Sequence, residues 1–359
     1  MKLFILIGTR PNFIKVTQFK KLAPQFDVEV RLIHTGQHFD VKMADVFFQE
    51  LNFQPDYFLE IPQTNQVHQI SNVLVGLEKL ISKIGKPDLM IVPGDVNSTL
   101  AGALFANEMG IKLAHLESGL RSNDREMPEE HNRVLTDHLS DFLFVTEQSG
   151  LDTVERENIK GKPYLVGNTM IDTMVAFEKQ IESSTILERL AVDKPFIPVT
   201  IHRPSNVDNI EGLEKLLALF QVLSSKYQLL FPIHPRTKKK MEEFGLTQQF
   251  NEINGLKFLE PLGYFDFQKL VKSAALVLTD SGGIQEETTF RQVPCITLRQ
   301  NTERPSTCEI GTNTLMDFEV EPILNIIKTI ENGTYKKGQI PTLWDGLATK
   351  RILEIISKL

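Results

Sequence analysis

The sequence predicts an α/β protein of two doubly wound parallel sheets, and three observations carry that prediction. Apolar runs of strand length alternate with helix-length amphipathic segments, each run leaves through a polar, often glycine-bearing turn, and the pattern restarts after Gly167-Asn168. A parallel strand must cross back over its sheet before it can pair again, and the intervening helices are that crossing. At 359 residues the chain also exceeds what one ordinary core holds, so two domains are expected.

Taken in order, KLFILI (2–7) is a first strand, and GTRPNFIKVTQFKKLA turns through Gly8 into a helix starting near Pro11. The G-x-G-x-x-G fingerprint is absent, so a dinucleotide is not indicated. Arg10 and Lys15 flank the helix start and add cations where backbone N–H groups already favour anions. EVRLIHTG is the second strand, with Gln37 and His38 at its end, and QHFDVKMADVFFQELNF is a helix with Met43, Val46, Phe47 and Leu51 at helical spacing. A helix over Gln66 to Ile84 precedes PDLMIVPGDVNSTLAGALFANEMG, which reads as strand, turn at Gly94 carrying Asp95, and helix from about Ser98.

IKLAHL is the next buried strand, and the stretch HLESGLRSNDREMPEEHNR (115–133) interleaves Glu117, Arg121, Glu129, Glu130 and Arg133, with Glu117 to Met127 as a strand-end loop. Pro128 starts a helix whose N-terminal dipole suits Glu129 and Glu130. Alone, such a cluster reads more readily as a solvated, capped loop and helix start. Gly36, Gly94 and the Glu117 loop nevertheless open on one rim, where α/β sheets place their ligands. Further along come DFLFVT, a helix to about Asn158, the strand PYLVGN, TMIDTMVAFEKQI as one helix, and a charged excursion from Glu182 to Lys194 expected to be mobile.

In the second half FIPVTIH carries His202 and Arg203 at its rim, and QLLFPIHP ends in His234. ALVLTDSGGIQEETTFRQVP repeats the strand–turn–helix module with a tight Ser281-Gly282-Gly283 turn. Two glycines let backbone approach a ligand closely, the following helix offers free N–H groups to a phosphate, and Glu287 is placed one turn in to accept from a ribose. PCITLRQNTERP ends in Arg299, Glu303 and Arg304, and the last helix runs from about Leu347 to Leu359.

A hydrophobic fraction of 41% with 24% charged is that of a folded chain, and a net charge of −7 offers no bulk attraction to nucleic acid or an anionic membrane. The opening run before Thr9 is too short for a signal-peptide core, and the two cysteines, Cys295 and Cys308, match neither a disulfide framework nor a zinc site, so a cytoplasmic protein is expected. Two rims, one per half, bearing cations and acids indicate a nucleotide-linked substrate gripped in a cleft between domains. Spacing names neither the sugar nor the reaction.

Together GTRPNFIK, HTGQH, GDVNSTLAGA, HLESGLRS, MPEEHNR, VGNTMIDT, IHRPSN, EPLGY, TDSGGIQEE and NTERP resemble the non-hydrolysing UDP-N-acetylglucosamine 2-epimerases. The resemblance runs in order from Ile7 to about Gly311. It implies two Rossmann-like domains of the GT-B kind facing across a cleft, the C-terminal helix crossing back to the first, with residues 1–167 plus 346–359 in one domain and 168–345 in the other. It implies inversion at carbon 2 of UDP-N-acetylglucosamine to give UDP-N-acetylmannosamine, by elimination of UDP to a 2-acetamidoglucal and re-addition, without cofactor or metal. The residues it marks as catalytic are Asp95, Glu117, Glu129 and His202, with Arg10, Lys15, Arg133, Ser281, Gly282, Gly283, Glu287 and Arg304 on the substrate.

Gln37 and His38 match an activator site of some members, although His202-Arg203-Pro204-Ser205-Asn206 stands where commoner members read HRREN. Close relatives act on the diacetamido-glucuronate and amino-deoxy-talose analogues, a GT-B glycosyltransferase is the rival on fold alone, and a UDP-sugar sensor is a third reading. A homodimer is expected, with Phe47-Phe48 and the Leu100 to Phe105 helix as interface. Asp95 and Glu117 are expected to crowd one another, and Arg133 to lie near Glu129 and favour its ionised form.

Overall fold

The computed structural model describes residues 1–36, 48–59, 61–62 and 65–359. Gln37, His38, Phe47 and most of the helix expected there lie outside the described residues. The chain divides into two compact units, Met1–Phe177 with Thr342–Leu359, and Glu178–Pro341.

Unit 1 holds seven parallel strands: β1 (Lys2–Ile7), β2 (Glu29–His34), β3 (Tyr57–Phe58), β4 (Leu89–Pro93), β5 (Lys112–Ser118), β6 (Phe142–Val145) and β7 (Lys162–Leu165). Their spatial order is β3-β2-β1-β4-β5-β6-β7. The order reverses between β1 and β4, which pair with Ile5 opposite Ile91, and a doubly wound sheet opens its ligand crevice at such a reversal, beyond the strands' carboxyl ends. Three helices enter from that rim: α1 (Arg10–Val16), α2 (Asn97–Glu108) and α3 (Pro128–Leu139). Phe4, Leu6, Met90, Val92 and Leu113 on the strands pack with Val73, Leu77, Ala101 and Phe105 on the helices, so the strand ends project from a close-packed base.

Unit 2 holds β8 (Phe196–Thr200), β9 (Gln228–Pro232), β10 (Leu256–Leu259), β11 (Val277–Thr279), β12 (Cys295–Leu298) and β13 (Asn313–Met316), in the order β10-β9-β8-β11-β12-β13. Its reversal lies between β8 and β11. The helix α4 (Gly282–Arg291) follows β11.

Both doubly wound sheets appear as the alternation predicts, and the departures have local causes. The expected single helix TMIDTMVAFEKQI is two, Thr169–Ala176 and Glu178–Glu182. The units divide at the break between them rather than at 167/168, because Thr169–Ala176 packs on α1, with the Thr17 and Thr173 hydroxyls 2.6 Å apart. The C-terminal helix Ala348–Ile356 returns to unit 1, where buried Asp172 accepts from the amides of Ala348 and Thr349, and Trp344 donates its indole N–H to Thr146 O.

The segment expected to be a mobile excursion is packed instead: Ile186 joins Phe196, Leu230 and Leu270 in a buried cluster, and Arg189 pairs with Asp266. Of the apolar residues expected to form an interface, Phe48, Leu100 and Phe105 are buried within unit 1, while Leu104 is exposed. β13 and the helix Val320–Glu331 were not expected from the pattern. Among the described residues no helix is long and apolar enough to cross a membrane.

Candidate active site

In unit 1 the turn after β1 is tied to the turn after β4 by one side chain. Asn12 accepts from the amides of Gly8 and Thr9 at 3.1 Å each and donates to Pro93 O at 3.2 Å. This places α1 so that Lys15, buried on its last turn, reaches Glu117 at the end of β5 with Nζ to Oε2 at 2.7 Å. Gly94 makes the approach possible: its φ is +68°, and a Cβ there would stand 3.0 Å from Lys15 Nζ. Arg10 is the first residue of the same helix and is partly buried.

Glu117 has a left-handed φ of 72°, uncommon for a residue with a side chain, where the pairing of β5 with β6 slips between Leu116 and Ser118. Asp95, beyond β4, takes a different cation: Arg133 of α3 gives one guanidinium nitrogen to Asp95 Oδ2 and another to Glu130 Oε2. Asn132 adds a 2.8 Å hydrogen bond to Asp95 O. Asp95 and Glu117 are thus each paired with a cation from a separate helix.

Glu129 and Glu130, alike in the sequence, do different work. Glu130 is buried and accepts from Ser122 N at 2.9 Å, Ser122 Oγ at 2.8 Å and Asn123 N at 2.9 Å, besides pairing with Arg133. Burial opposes its ionisation, but the Ser122 and Asn123 hydrogen bonds and the Arg133 charge outweigh that and hold its carboxyl below the ordinary range. Glu129 is exposed in the first turn of α3. The expected Arg133–Glu129 association is thus replaced by Arg133–Glu130. Both acids precede Arg133 at helical spacing, four and three residues back, and the stripe bearing 130, 133 and 137 is the buried one, where Ser122 and Asn123 also hold Glu130.

That stripe ends in Asp137, which no motif in the sequence marks. Fully buried, it lies 2.6 Å from His115 Nδ1 and 2.7 Å from Arg121 Nη1, and accepts from Gly119 N at 3.1 Å. Arg121 goes on to Glu157.

In unit 2 Asp280, just beyond β11, organises the rim. Its Oδ2 accepts from the amides of His202 and Arg203 at 2.9 and 2.8 Å and from Asn206 Nδ2 at 3.1 Å, while Oδ1 lies 3.1 Å from His202 Nδ1. Its burial works against ionisation, and the His202 and backbone hydrogen bonds prevail, keeping the carboxyl below its usual value. His202 stacks on His234 with ring centroids 5.1 Å apart. Gly282 and Gly283 are not a separate turn; they are the first residues of α4, with Ser281 as its N-cap and no side-chain capping hydrogen bond. The α4 amides and the Ser281 hydroxyl are thereby presented together.

A Cβ on Gly282 would meet Arg304 Nη1 at 2.9 Å, so Arg304 lies against the helix start, held there by Glu286 at 2.8 Å and Glu303 at 3.3 Å. Glu287 is buried on the same helix. Arg299 and Glu303 form a second buried pair at 2.9 Å. Asp280 was legible as the acid before Ser281-Gly282-Gly283, yet nothing in the string separates a rim-building acid from a ligand-facing one.

The chain matches the family model described as UDP-N-acetylglucosamine 2-epimerase over residues 20–357. A UDP-N-acetylglucosamine 2-epimerase of Methanococcus maripaludis is 42% identical over 336 residues, 91% of each chain. A UDP-2,3-diacetamido-2,3-dideoxy-D-glucuronate 2-epimerase of Pseudomonas aeruginosa is 36% identical over 366 residues, all of both chains. The crystal structure of the Methanocaldococcus jannaschii UDP-GlcNAc 2-epimerase in complex with UDP-GlcNAc and UDP superposes with a TM-score of 0.89 at 40% identity, covering 100% of both chains.

Proposed function

The chain belongs to the UDP-N-acetylglucosamine 2-epimerase family, and from that premise we propose that it interconverts UDP-N-acetylglucosamine and UDP-N-acetylmannosamine. The observation that carries the proposal is the pair of carboxylates at the unit 1 switch point, Asp95 and Glu117, each set by a buried cation. Inversion at carbon 2 needs one group to take the proton and another to return it on the opposite face, with donors to hold the departing diphosphate. One carboxylate removes the carbon-2 proton while the carbon-1–oxygen bond breaks and UDP leaves. A second acid then delivers a proton to the other face of the glycal as UDP re-forms the bond at carbon 1.

Asp95, Glu117 and the exposed Glu129 are the carboxylates for those steps, with His202 as a further proton donor. Arg10, Lys15 and Arg133 balance charge in unit 1. In unit 2 Ser281, the Gly282 and Gly283 amides and Arg304 suit a diphosphate, and Glu287 a ribose. Gln37 and His38 are proposed for an activating second substrate.

Proton NMR of the protein with UDP-N-acetylglucosamine in deuterated water is expected to show loss of the carbon-2 proton signal and growth of the manno isomer, with no acceptor added. The full-length likeness to the Pseudomonas aeruginosa enzyme favours a related UDP-sugar as the second reading. Turnover of the diacetamido-glucuronate alone, with the gluco sugar inert, would establish it instead. The same reading makes the protein a cytoplasmic homodimer. Free Cys295 and Cys308 fit a reducing compartment, and the exposed Val67, Val75 and Leu104 fit a second copy. A monomer in sedimentation at working concentration removes the dimer.

A further inference from the structure

We propose that Asp137 is a positioning residue for the epimerisation: one buried carboxylate that, through His115 and the Gly119 amide, holds the Asp95 turn and the Glu117 backbone in fixed relation. This rests on the assignment of Asp95 and Glu117 to the chemistry. The two carboxylates lie on different strand ends, and their own cations come from different helices, so neither ion pair sets the distance between them. Asp137 reaches both ends. Through Oδ1 it touches His115 Nδ1 at 2.6 Å, and His115 Nε2 lies 2.7 Å from Gly94 O, the residue before Asp95. A carbonyl oxygen only accepts, so Nε2 donates there. Through Oδ2 it accepts from Gly119 N at 3.1 Å, two residues past Glu117.

The segment so held resists its own geometry. A left-handed φ at Glu117 costs on the order of 1 kcal/mol or more and persists only where the surroundings over-determine it. Gly119 is left-handed as well, at +79°, and sits so close to the next helix that a Cβ would stand 2.3 Å from Gly150 O. Asp137 supplies the acceptor that this stretch of backbone needs while it approaches Gly150. Arg121 does not depend on Asp137 for its charge balance, since it also meets Glu157 through Nε at 3.1 Å and Nη2 at 2.7 Å. Asp137 can thus be removed without stranding Arg121.

Asparagine offers a substitute of the same shape. Its Oδ1 can accept from Gly119 N and Arg121, and its amide can donate to Nδ1 of a His115 that carries its proton on Nε2 alone, toward Gly94 O. Alanine offers none of this. The test compares Asp137→Ala, His115→Ala and Asp137→Asn for kcat, KM, UDP dissociation constant and thermal midpoint, with Asp95→Asn and Glu117→Gln alongside. Both alanine variants are expected to lose kcat by about 100-fold, the scale of a small misplacement at a reacting centre. Their KM and UDP affinity are expected to stay within about threefold, and Asp137→Asn to keep kcat within about threefold.

A folded alanine variant with undiminished kcat overturns the proposal, as does an asparagine variant as impaired as alanine, or UDP affinity falling in step with kcat. Alanine variants that fail to fold while asparagine folds also overturn it, because the network then holds the fold and not the site. If Asp95→Asn and Glu117→Gln turn over normally, the carboxylate assignment itself is lost. If they fail and Asp137→Ala does not, only the positioning role is lost.

Discussion

At the end of β5 Glu117 meets a cation brought by a separate helix, whereas just past β11 Asp280 turns inward and receives the amides of His202 and Arg203. Both positions are carboxyl ends of strands, β11 at its sheet's reversal and β5 one strand removed from the reversal of its own, and both carboxylates are buried. In unit 1 the acids Asp95 and Glu117 are side chains poised by ion pairs, with Glu130 and Asp137 behind them anchoring the loops. In unit 2 the acids Asp280, Glu286 and Glu303 are spent on holding neighbours, and what the rim presents is the α4 helix start and the Ser281 hydroxyl. A rim that moves protons needs ionisable side chains held in place, while a rim that binds an anion needs amides and cations whose own supports are acidic.

The strongest way to break this comparison is to remove Asp280. Asp280→Ala leaves two backbone amides without their acceptor, at roughly 1 to 3 kcal/mol each. Calorimetric unfolding should show unit 2 destabilised by that order, with UDP affinity reduced. Unchanged unfolding with lost turnover would make Asp280 part of the chemistry and erase the contrast.

Mild acid sharpens it from the side of unit 1. His34, packed against Phe13 and Phe58 with ring centroids 5.3 and 5.4 Å away, is pushed by burial from 6.5 down to about 4. Because its folded value is depressed, the stability it contributes is complete above pH 6.5 and is lost as pH falls through 4, a total of about 3 kcal/mol. Urea unfolding of His34→Gln, which keeps an acceptor for Gly36 N, should lose that dependence between pH 6.5 and 4 relative to the parent. Identical pH profiles would remove His34 as the cause.

Next in size, Glu117→Gln and Asp95→Asn are each expected to cut kcat by about 100-fold, the usual scale for losing a general acid or base. UDP titration should be nearly unchanged, because UDP is assigned to unit 2. A variant that loses UDP affinity but keeps turnover at saturation would dissolve the division into a chemical half and a nucleotide half. Smallest of the four, Glu287→Ala should weaken UDP binding by roughly 1 to 3 kcal/mol, the cost of an unmet hydrogen bond. If kcat at saturating substrate falls with it, Glu287 acts in the chemical step as well.

Much of the architecture is determined by the string of residues alone. KLFILI, LMIVP, KLAHLES and CITL appear as strands because period and apolarity are local properties that no distant partner can reverse cheaply. The sites' locations follow from the same pattern, since a doubly wound order puts the ends of β1, β4 and β5 on one rim before any side chain is considered. The tertiary structure alone decided which charged neighbour does what. Glu129 and Glu130 are indistinguishable in the sequence, and only the face that α3 turns to the sheet makes one an anchor for Ser122 and leaves the other exposed. Asp137 was passed over because its partners, His115 and Gly119, are 22 and 18 residues away in the chain. Periodicity says which residues share a face. What that face meets depends on the packing of segments far apart in sequence, and on the price of burying a charge without a partner.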